Sequence, residues 1–383
     1  MKVLQVVTYI SPDGAYGGPV RVAINQAKAL TDLGHDVVVA AAAGGFDGPL
    51  PTDFDGFPVR LFPARRLVPK SGFAGLTSPG LFSWLARAVH GADVIHVHLA
   101  RDLVTLPAAA LALLIRKPLI VQTHGMIDRT DNPLAVPLDR FLTRPVLRRA
   151  RTVFHLTNRE RQDLRDVAGE GLELAHLPNG VAIPEAQAIE QRIGPQANPE
   201  VLYLARLHSI KRPTLMVEAA RALCKKHSQA LFTLVGPDEG QAIEVQSATR
   251  KAELKDKVIW AGAIPPDQTL NRMKSASIYV LPSSAEVFPM AVLEAMSVGL
   301  PVVVTDGCGL APMIEARSAG LVCGQSAEDF AEAIGTLLDD PDRRVAMGAN
   351  ARRAVTELHS VQRIAKSLGD TYGAVSGIQE VGV

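Results

Sequence analysis

The chain has 383 residues, 47% of them hydrophobic and 21% charged, enough apolar material to place it outside the disordered class. At roughly 150 residues per domain this length points to two domains and excludes a single small binding module. Lysine and arginine total 40 against 39 acidic residues, so a net charge of +1 gives no global attraction for nucleic acid, and three scattered cysteines (Cys224, Cys308 and Cys323) make neither a disulfide framework nor a zinc cluster, as in a reduced, cytoplasmic protein.

From the amino terminus, a short apolar run over 3–7, broken by Gln5, reads as a first strand over 3–8 rather than a secretory leader. Gly14, Gly17 and Gly18 follow in the order G-A-Y-G-G. They lead into a helix in which Pro19 suits the first position, Val20, Ala23, Ile24, Ala27 and Leu30 repeat at helical spacing, and Gly34 closes the segment. This is not the G-x-G-x-x-G fingerprint, but a glycine loop of this kind lets backbone amides approach a phosphate as well as making a tight turn. Asp53 and Asp55 form a D-x-D in a proline- and glycine-rich stretch and are read as a solvated turn.

β-Branched runs at 37–41, 94–97, 119–123 and 152–156 alternate with helical periodicity, which predicts a parallel sheet with crossover helices. His96 and His98 alternate on one face of a strand, where at least one is expected to be a satisfied structural histidine. The apolar run 103–115 contains Pro107 and falls short of the ~20 residues that span a bilayer, so no transmembrane helix is expected. His124, in Q-T-H-G, sits at the carboxyl end of its strand, where ligands of open sheets bind. Over 138–151, Arg140, Arg144, Arg148, Arg149 and Arg151 interleave with Leu138, Phe141, Leu142, Val146 and Leu147, a basic amphipathic pattern suited to an anionic membrane surface or to an ordinary solvated helix face.

Between 184 and 199 the chain turns rich in proline, alanine and glutamine, which marks an interdomain linker. Domains are therefore expected over 1–183 and 184–359. Alternation restarts with strands at 201–205, 231–235, 258–261, 278–281 and 301–305 and helices from Pro213 and about Pro289, making a second doubly wound α/β domain. Two such domains facing one another would hold a ligand in the cleft between them.

The segment 283–305 reads S-S-A-E-V-F-P-M-A-V-L-E-A-M-S-V-G-L-P-V-V-V-T and carries Glu286 and Glu294 with seven residues between them. On spacing alone, a helix burying Val292, Leu293 and Met296 with both glutamates solvated accounts for it equally well. The segment resembles the E-x7-E signature of retaining GT-B glycosyltransferases, closest to glycosyltransferase family 4, and the likeness continues through G-L-P-V-V-V-T-D. That resemblance implies a GT-B fold of two Rossmann-like domains across a cleft, with a helix near 360–375 packing back on the first. It implies that Glu294 grips the ribose hydroxyls of a nucleotide sugar and Glu286 contacts the transferred sugar, flanked by backbone around Phe288, Pro289, Met290 and Ala291.

Leu204 to Lys211, L-A-R-L-H-S-I-K, is similar to the family's leaving-group segment, so Arg206 and Lys211 are expected to hold the departing diphosphate, with Arg212 beside them in place of a glycine. The family also implies that Gly17 and Gly18 face the donor phosphate, that His124 hydrogen-bonds the donor sugar and that loops at Gly236 and Ile264 meet the nucleobase. Asn179 and Gly180 resemble its domain-junction turn, with Ala182 in place of an aspartate. Val287 replaces the glycine usual after the first glutamate, so strain is expected there if the position needs a left-handed φ. The implied activity is metal-independent transfer of a sugar from a UDP- or GDP-sugar, without a further cofactor, to a glycan or lipid-linked acceptor in cell-surface polysaccharide or glycoconjugate synthesis. Peripheral contact with the inner face of the membrane through Arg140, Arg144 and Arg148 is expected, and no nucleic acid. The rivals are a nucleotide-sugar 2-epimerase of the same architecture and a non-catalytic sugar-binding protein.

Overall fold

The computed structural model describes all residues except 13–16, 69–71, 185–197 and 378–383, so Gly14 and most of the linker stretch lie outside the described residues. The chain divides into two compact units, Met1–Gly180 with Val361–Val383, and Val181–Ser360.

Unit 1 is built on β1 (Lys2–Ile10), β2 (Asp36–Ala43), β3 (Asp53–Phe54), β4 (Phe57–Pro63), a hairpin of β5 (Arg65–Arg66) with β6 (Leu76–Thr77), then β7 (Val94–His98), β8 (Leu119–Gln122), β9 (Thr152–His155) and β10 (Leu174–His176). Its main sheet runs β10-β9-β8-β7-β1-β2-β4-β3, parallel except for β3. Helices α1 (Gly17–Asp32), α2 (Pro79–Gly91), α3 (Thr105–Leu114), α4 (Ala135–Leu138), α5 (Arg144–Arg149) and α6 (Asn158–Ala168) supply the crossovers. Alternation of side chains along each strand feeds two cores. Leu4, Val6, Ile95 and Val97 pack with Leu81, Leu85 and Leu106, whereas Val3, Val94 and Ile120 pack on the opposite face with Leu30, Ile364, Leu368 and Tyr372.

β4 was not apparent in the sequence because it carries prolines at 58 and 63, yet Phe57 and Val59 are buried and the strand pairs in parallel with β2 from Val59 on. At Asp53 and Asp55 the chain makes an exposed hairpin turn in which Gly56 N donates to Asp53 Oδ1 at 3.0 Å and Asp55 takes a left-handed φ of 52°.

Unit 2 carries β11 (Glu200–Leu204), β12 (Leu231–Val235), β13 (Val258–Trp260), β14 (Ile278–Leu281), β15 (Val302–Thr305) and β16 (Gly320–Cys323), ordered β13-β12-β11-β14-β15-β16 and parallel throughout. Between and after them run α7 (Pro213–Leu223), α8 (Ala242–Lys251), α9 (Thr269–Lys274), α10 (Met290–Ser297), α11 (Ala311–Ala316), α12 (Ala327–Asp339) and α13 (Pro341–His359). Val201, Tyr203, Phe232 and Val280 face Leu215 and Phe330, while Leu202, Tyr279 and Leu281 face Val292, Leu293, Met296 and Val355. Where the chain enters and leaves this unit, Val181 N donates to His359 O at 2.8 Å.

The last helix, α14 (Val361–Ser376), belongs to unit 1 and buries Ile364, Ala365, Leu368 and Tyr372 against β1, β7 and α1. Among the described residues no helix is long and apolar enough to cross a membrane.

Sheet register in unit 2 leaves no space at Gly320, where a Cβ would lie 2.1 Å from Val302 O. Gly320→Ala should destabilise the protein by ~1–3 kcal/mol and lower the melting temperature by several degrees, at roughly 2–4 °C per kcal/mol for a domain of this size. An unchanged melting curve would show that β16 yields to accommodate the methyl group.

Candidate functional site

At the carboxyl edge of the unit 2 sheet, β11 ends at Leu204 and the chain bends through Arg206 into a 3₁₀ turn, Ser209–Lys211, where the His208 ring accepts from Ile210 N at 3.2 Å. Two buried tyrosines pin this bend from below. Tyr203 donates to Arg206 O at 2.9 Å and Tyr279 to Leu204 O at 3.1 Å. Burial holds both phenols well above their ordinary pKa, so they remain donors. Arg206 and Lys211 both emerge here, but neither stands alone. Arg206 Nη1 donates to Glu239 Oε1 and Oε2 at 2.7 and 2.8 Å, and Lys211 is paired with Glu286. Arg212 is not aimed with them. It takes a left-handed φ of 50° at the start of α7 and donates to Gln325 Oε1 and O at 2.9 and 2.7 Å.

Glu286 lies on the loop after β14, which is pressed against the loop after β15. Glu286 N donates to Gly307 O at 3.0 Å, and Gly309 N donates to Glu286 O at 2.7 Å. No side chain fits between them, since a Cβ at 307 would lie 2.3 Å from Ser284 O and one at 309 would lie 1.9 Å from Val287 O. Val287 has no left-handed φ, so the strain expected there does not arise; its side chain points outward, 39% exposed. Gly307 and Gly309 were not picked out in the sequence, although D-G-C-G directly after a strand carries the signal of a close backbone approach.

Pro289 is the N-cap of α10 rather than its first residue, and the helix begins at Met290. Its first amides, at Met290 and Ala291, have no carbonyl one turn earlier to receive them and give this end a partial positive charge. Glu294 follows in the second turn, 8% exposed. Ile264, Phe288, Met290 and Ala291 pack half-buried on the core beneath, with Phe288 edge-on to His359 at 5.6 Å. Gly236 acts through its lack of a side chain: its amide donates to Gly262 O at 2.8 Å, and a Cβ would lie 2.0 Å from Ala205 O. These residues form one cluster at the exits of β11, β12 and β14.

Unit 1 gathers a second cluster. His124 follows β8 with a left-handed φ of 52° in a turn fastened by Glu160, a residue not singled out in the sequence. The buried Glu160 carboxylate accepts from Thr123 Oγ1 and Gly125 N at 2.5 Å each and from Leu156 N at 2.6 Å. His96, His98 and His124 stack, with ring centroids 4.6 and 5.0 Å apart. His96 Nδ1 bonds the Tyr372 hydroxyl at 2.7 Å, and His98 Nδ1 bonds His124 Nε2 at 2.8 Å. Burial holds His96 and His124 down to about 3, and His98 well below its ordinary value, so all three rings are neutral at pH 7. His96 and His98 thus each have one ring nitrogen bonded, while among the described residues His96 Nε2, His98 Nε2 and His124 Nδ1 are buried without a protein partner.

A Cβ at Gly18 would meet open space, so packing does not require glycine there; Gly17 is the first residue of α1. Asn179 Oδ1 accepts from Gln122 at 3.3 Å, and a Cβ at Gly180 would lie 2.8 Å from Val361 Cα, an architectural role. In the basic stretch, Arg140 lies over the exposed Phe141 ring at 5.7 Å, beside exposed Leu134 and Val136. Arg148 is exposed, and its Nε donates to Ala168 O at 2.6 Å at the end of α6.

Two family models match the chain, "Glycosyl transferase 4-like domain" over residues 17–180 and "Glycosyl transferases group 1" over 186–354. The chain is similar to the alpha-D-kanosaminyltransferase of Streptomyces kanamyceticus, at 27% identity over 67% of this chain and 70% of that one. It is also similar to the 2-deoxystreptamine glucosyltransferase of the same organism, at 28% identity over 83% and 89%. Among solved structures, HepE of Anabaena in complex with UDP and glucose superposes with a TM-score of 0.75 at 21% identity, covering 98% of this chain and 100% of that one.

The glycine contact at 309 makes a sharp test of the unit 2 cluster. Gly309→Ala should push the 284–287 loop off the sheet edge and lower the affinity for UDP on the order of tenfold or more, read as a diminished UDP-induced thermal shift. Undiminished UDP stabilisation in a folded Gly309→Ala protein would separate that loop from nucleotide binding.

Proposed function

The chain is a glycosyltransferase of the GT-B fold, and on that premise we propose that it moves a sugar from a UDP- or GDP-sugar to a glycan or lipid-linked acceptor, with retention of configuration and without a metal. The observation that carries the proposal is the pairing of Lys211 with Glu286, four residues ahead of α10, with Arg206 on the same loop after β11 as Lys211 and Glu294 in the second turn of α10. In this reading Glu294 accepts from the ribose hydroxyls. The diphosphate lies against the amides of Met290 and Ala291, with Arg206 and Lys211 beside it. Pro289 supplies shape only, because it has no amide hydrogen. Gly18, with open space where a Cβ would stand, lets backbone come close to a phosphate, and His124 and Glu286 hold the transferred sugar.

Arg206 and Lys211 stabilise the charge that grows on the diphosphate as the anomeric C–O bond breaks, and as fixed cations they need little reorganisation. The acceptor hydroxyl attacks on the same face and passes its proton to a phosphate oxygen. Glu286 is held as an ion pair by Lys211, which suits contact with sugar hydroxyls rather than nucleophilic attack. Support for a nucleotide-sugar donor comes from HepE, solved with UDP and glucose.

For the acceptor we propose a lipid-linked or surface glycan approached at the inner face of the membrane. Phe141, Leu134 and Val136 are exposed, and Arg140 and Arg144 would meet anionic headgroups.

Glu294→Ala should weaken UDP or GDP binding about tenfold to a hundredfold, while Lys211→Ala should reduce kcat more than it weakens binding. Turnover should persist in excess EDTA, and the product should keep the donor's anomeric configuration by NMR. Loss of activity on chelation with recovery in Mg²⁺, or an inverted product, would overturn those parts of the reading. Vesicles containing anionic lipid should co-sediment the protein, and Phe141→Ser with Arg144→Glu should release it; equal binding to neutral vesicles would overturn the headgroup contact, and no binding to either would overturn the membrane role.

A further inference from the structure

We propose that His98 is a positioning residue, fixing the ring orientation and neutral tautomer of His124 so that His124 Nδ1 is the atom offered to substrate. The inference rests on the reading of His124 as a contact to the transferred sugar.

His124 sits in a turn with a left-handed φ, a conformation that by itself leaves the ring free to rotate about χ1 and χ2. Its Nε2 is engaged by His98 Nδ1 at 2.8 Å, and the two rings lie 8° from parallel with centroids 5.0 Å apart. His98 cannot turn away, because it is flanked on its other side by His96 at 4.6 Å, and His96 is in turn tied through Nδ1 to the Tyr372 hydroxyl at 2.7 Å. One nitrogen of His124 remains, Nδ1, buried with no partner among the described residues.

Because all three rings are neutral, the bond between His98 and His124 decides a proton's place. If His98 donates from Nδ1, the single proton of His124 is on Nδ1, which then donates to a sugar hydroxyl. If His124 donates from Nε2, its Nδ1 can only accept. His96 Nε2 and His98 Nε2 lack a partner as well, but of the three rings only that of His124 stands on a turn beyond the carboxyl end of its strand, where open sheets bind ligands.

The test compares His98→Phe, which keeps a flat ring but has no nitrogen, with His98→Asn, whose amide stands near the place of Nδ1. UDP-glucose hydrolysis, UDP-induced thermal shift and ¹⁵N shifts of the His124 ring are measured on each full-length protein. His98→Phe should lose turnover on the order of tenfold to a hundredfold, shift UDP binding less than about twofold, and change the His124 ¹⁵N pattern toward a mixture of tautomers. His98→Asn should recover most of the turnover and the single-tautomer pattern, and His98→Phe combined with His124→Ala should lose no more than His124→Ala alone. An unaltered ¹⁵N pattern in both folded His98 variants overturns the proposal, as does unchanged turnover in His98→Phe when His124→Ala is impaired. Full turnover in His124→Ala itself would refute the sugar-contact reading instead, and the ¹⁵N pattern would still decide the role of His98.

Discussion

At the carboxyl edge of the unit 2 sheet, backbone rests on backbone with no space for a methyl group. Residue 236 closes on the carbonyl of Ala205, residue 307 on that of Ser284 and residue 309 on that of Val287, each leaving 1.9–2.3 Å where a Cβ would stand. The loops leaving neighbouring strands are thereby locked in pairs: that after β12 against that after β11, and that after β15 against that after β14. Side chains that branch from such loops inherit their rigidity, and Arg206 and Glu286 are two of them. A site that must discriminate a charge growing during reaction from one already present benefits when its groups cannot relax toward either.

Charge is distributed with the same economy. Arg206 and Lys211, the cations facing this edge, each carry a carboxylate partner, but the two pairs differ in kind. The Arg206–Glu239 pair is open, with side chains 52% and 32% exposed, so water and salt compete with it and it adds little to stability. The Lys211–Glu286 pair is 16% and 19% exposed and sits against the clamped loop, where screening is weaker. An arriving anion would meet a guanidinium only loosely engaged, with donors to spare, and an ammonium already balanced.

Much of this was legible in the sequence because it rests on local pattern. β-Branched runs marked ten strands, Pro213 marked the start of α7 to the residue, and the spacing of Glu286 and Glu294 marked the loop-helix unit that carries them. What was not legible depends on residues far apart in the chain. Glu239 becomes the partner of Arg206, Glu160 fastens the turn around His124, and Tyr372 reaches His96 only once the fold brings them together. β4 was hidden by its prolines, and the role of Gly309 by the fact that its reason lies in the opposite loop.

The order in which unit 1 is completed follows from the placement of α14. Its residues Ile364, Ala365, Leu368 and Tyr372 cover the sheet face formed by Val3, Val94 and Ile120, yet they come after the whole of unit 2 in the chain. During synthesis, that face of β1 and β7 therefore waits with only α1 to cover part of it while residues 181–360 are made, and unit 2, a continuous stretch, can finish first. The amino-terminal unit is the last to close, so truncation near the carboxyl terminus damages the domain that was begun at the other end.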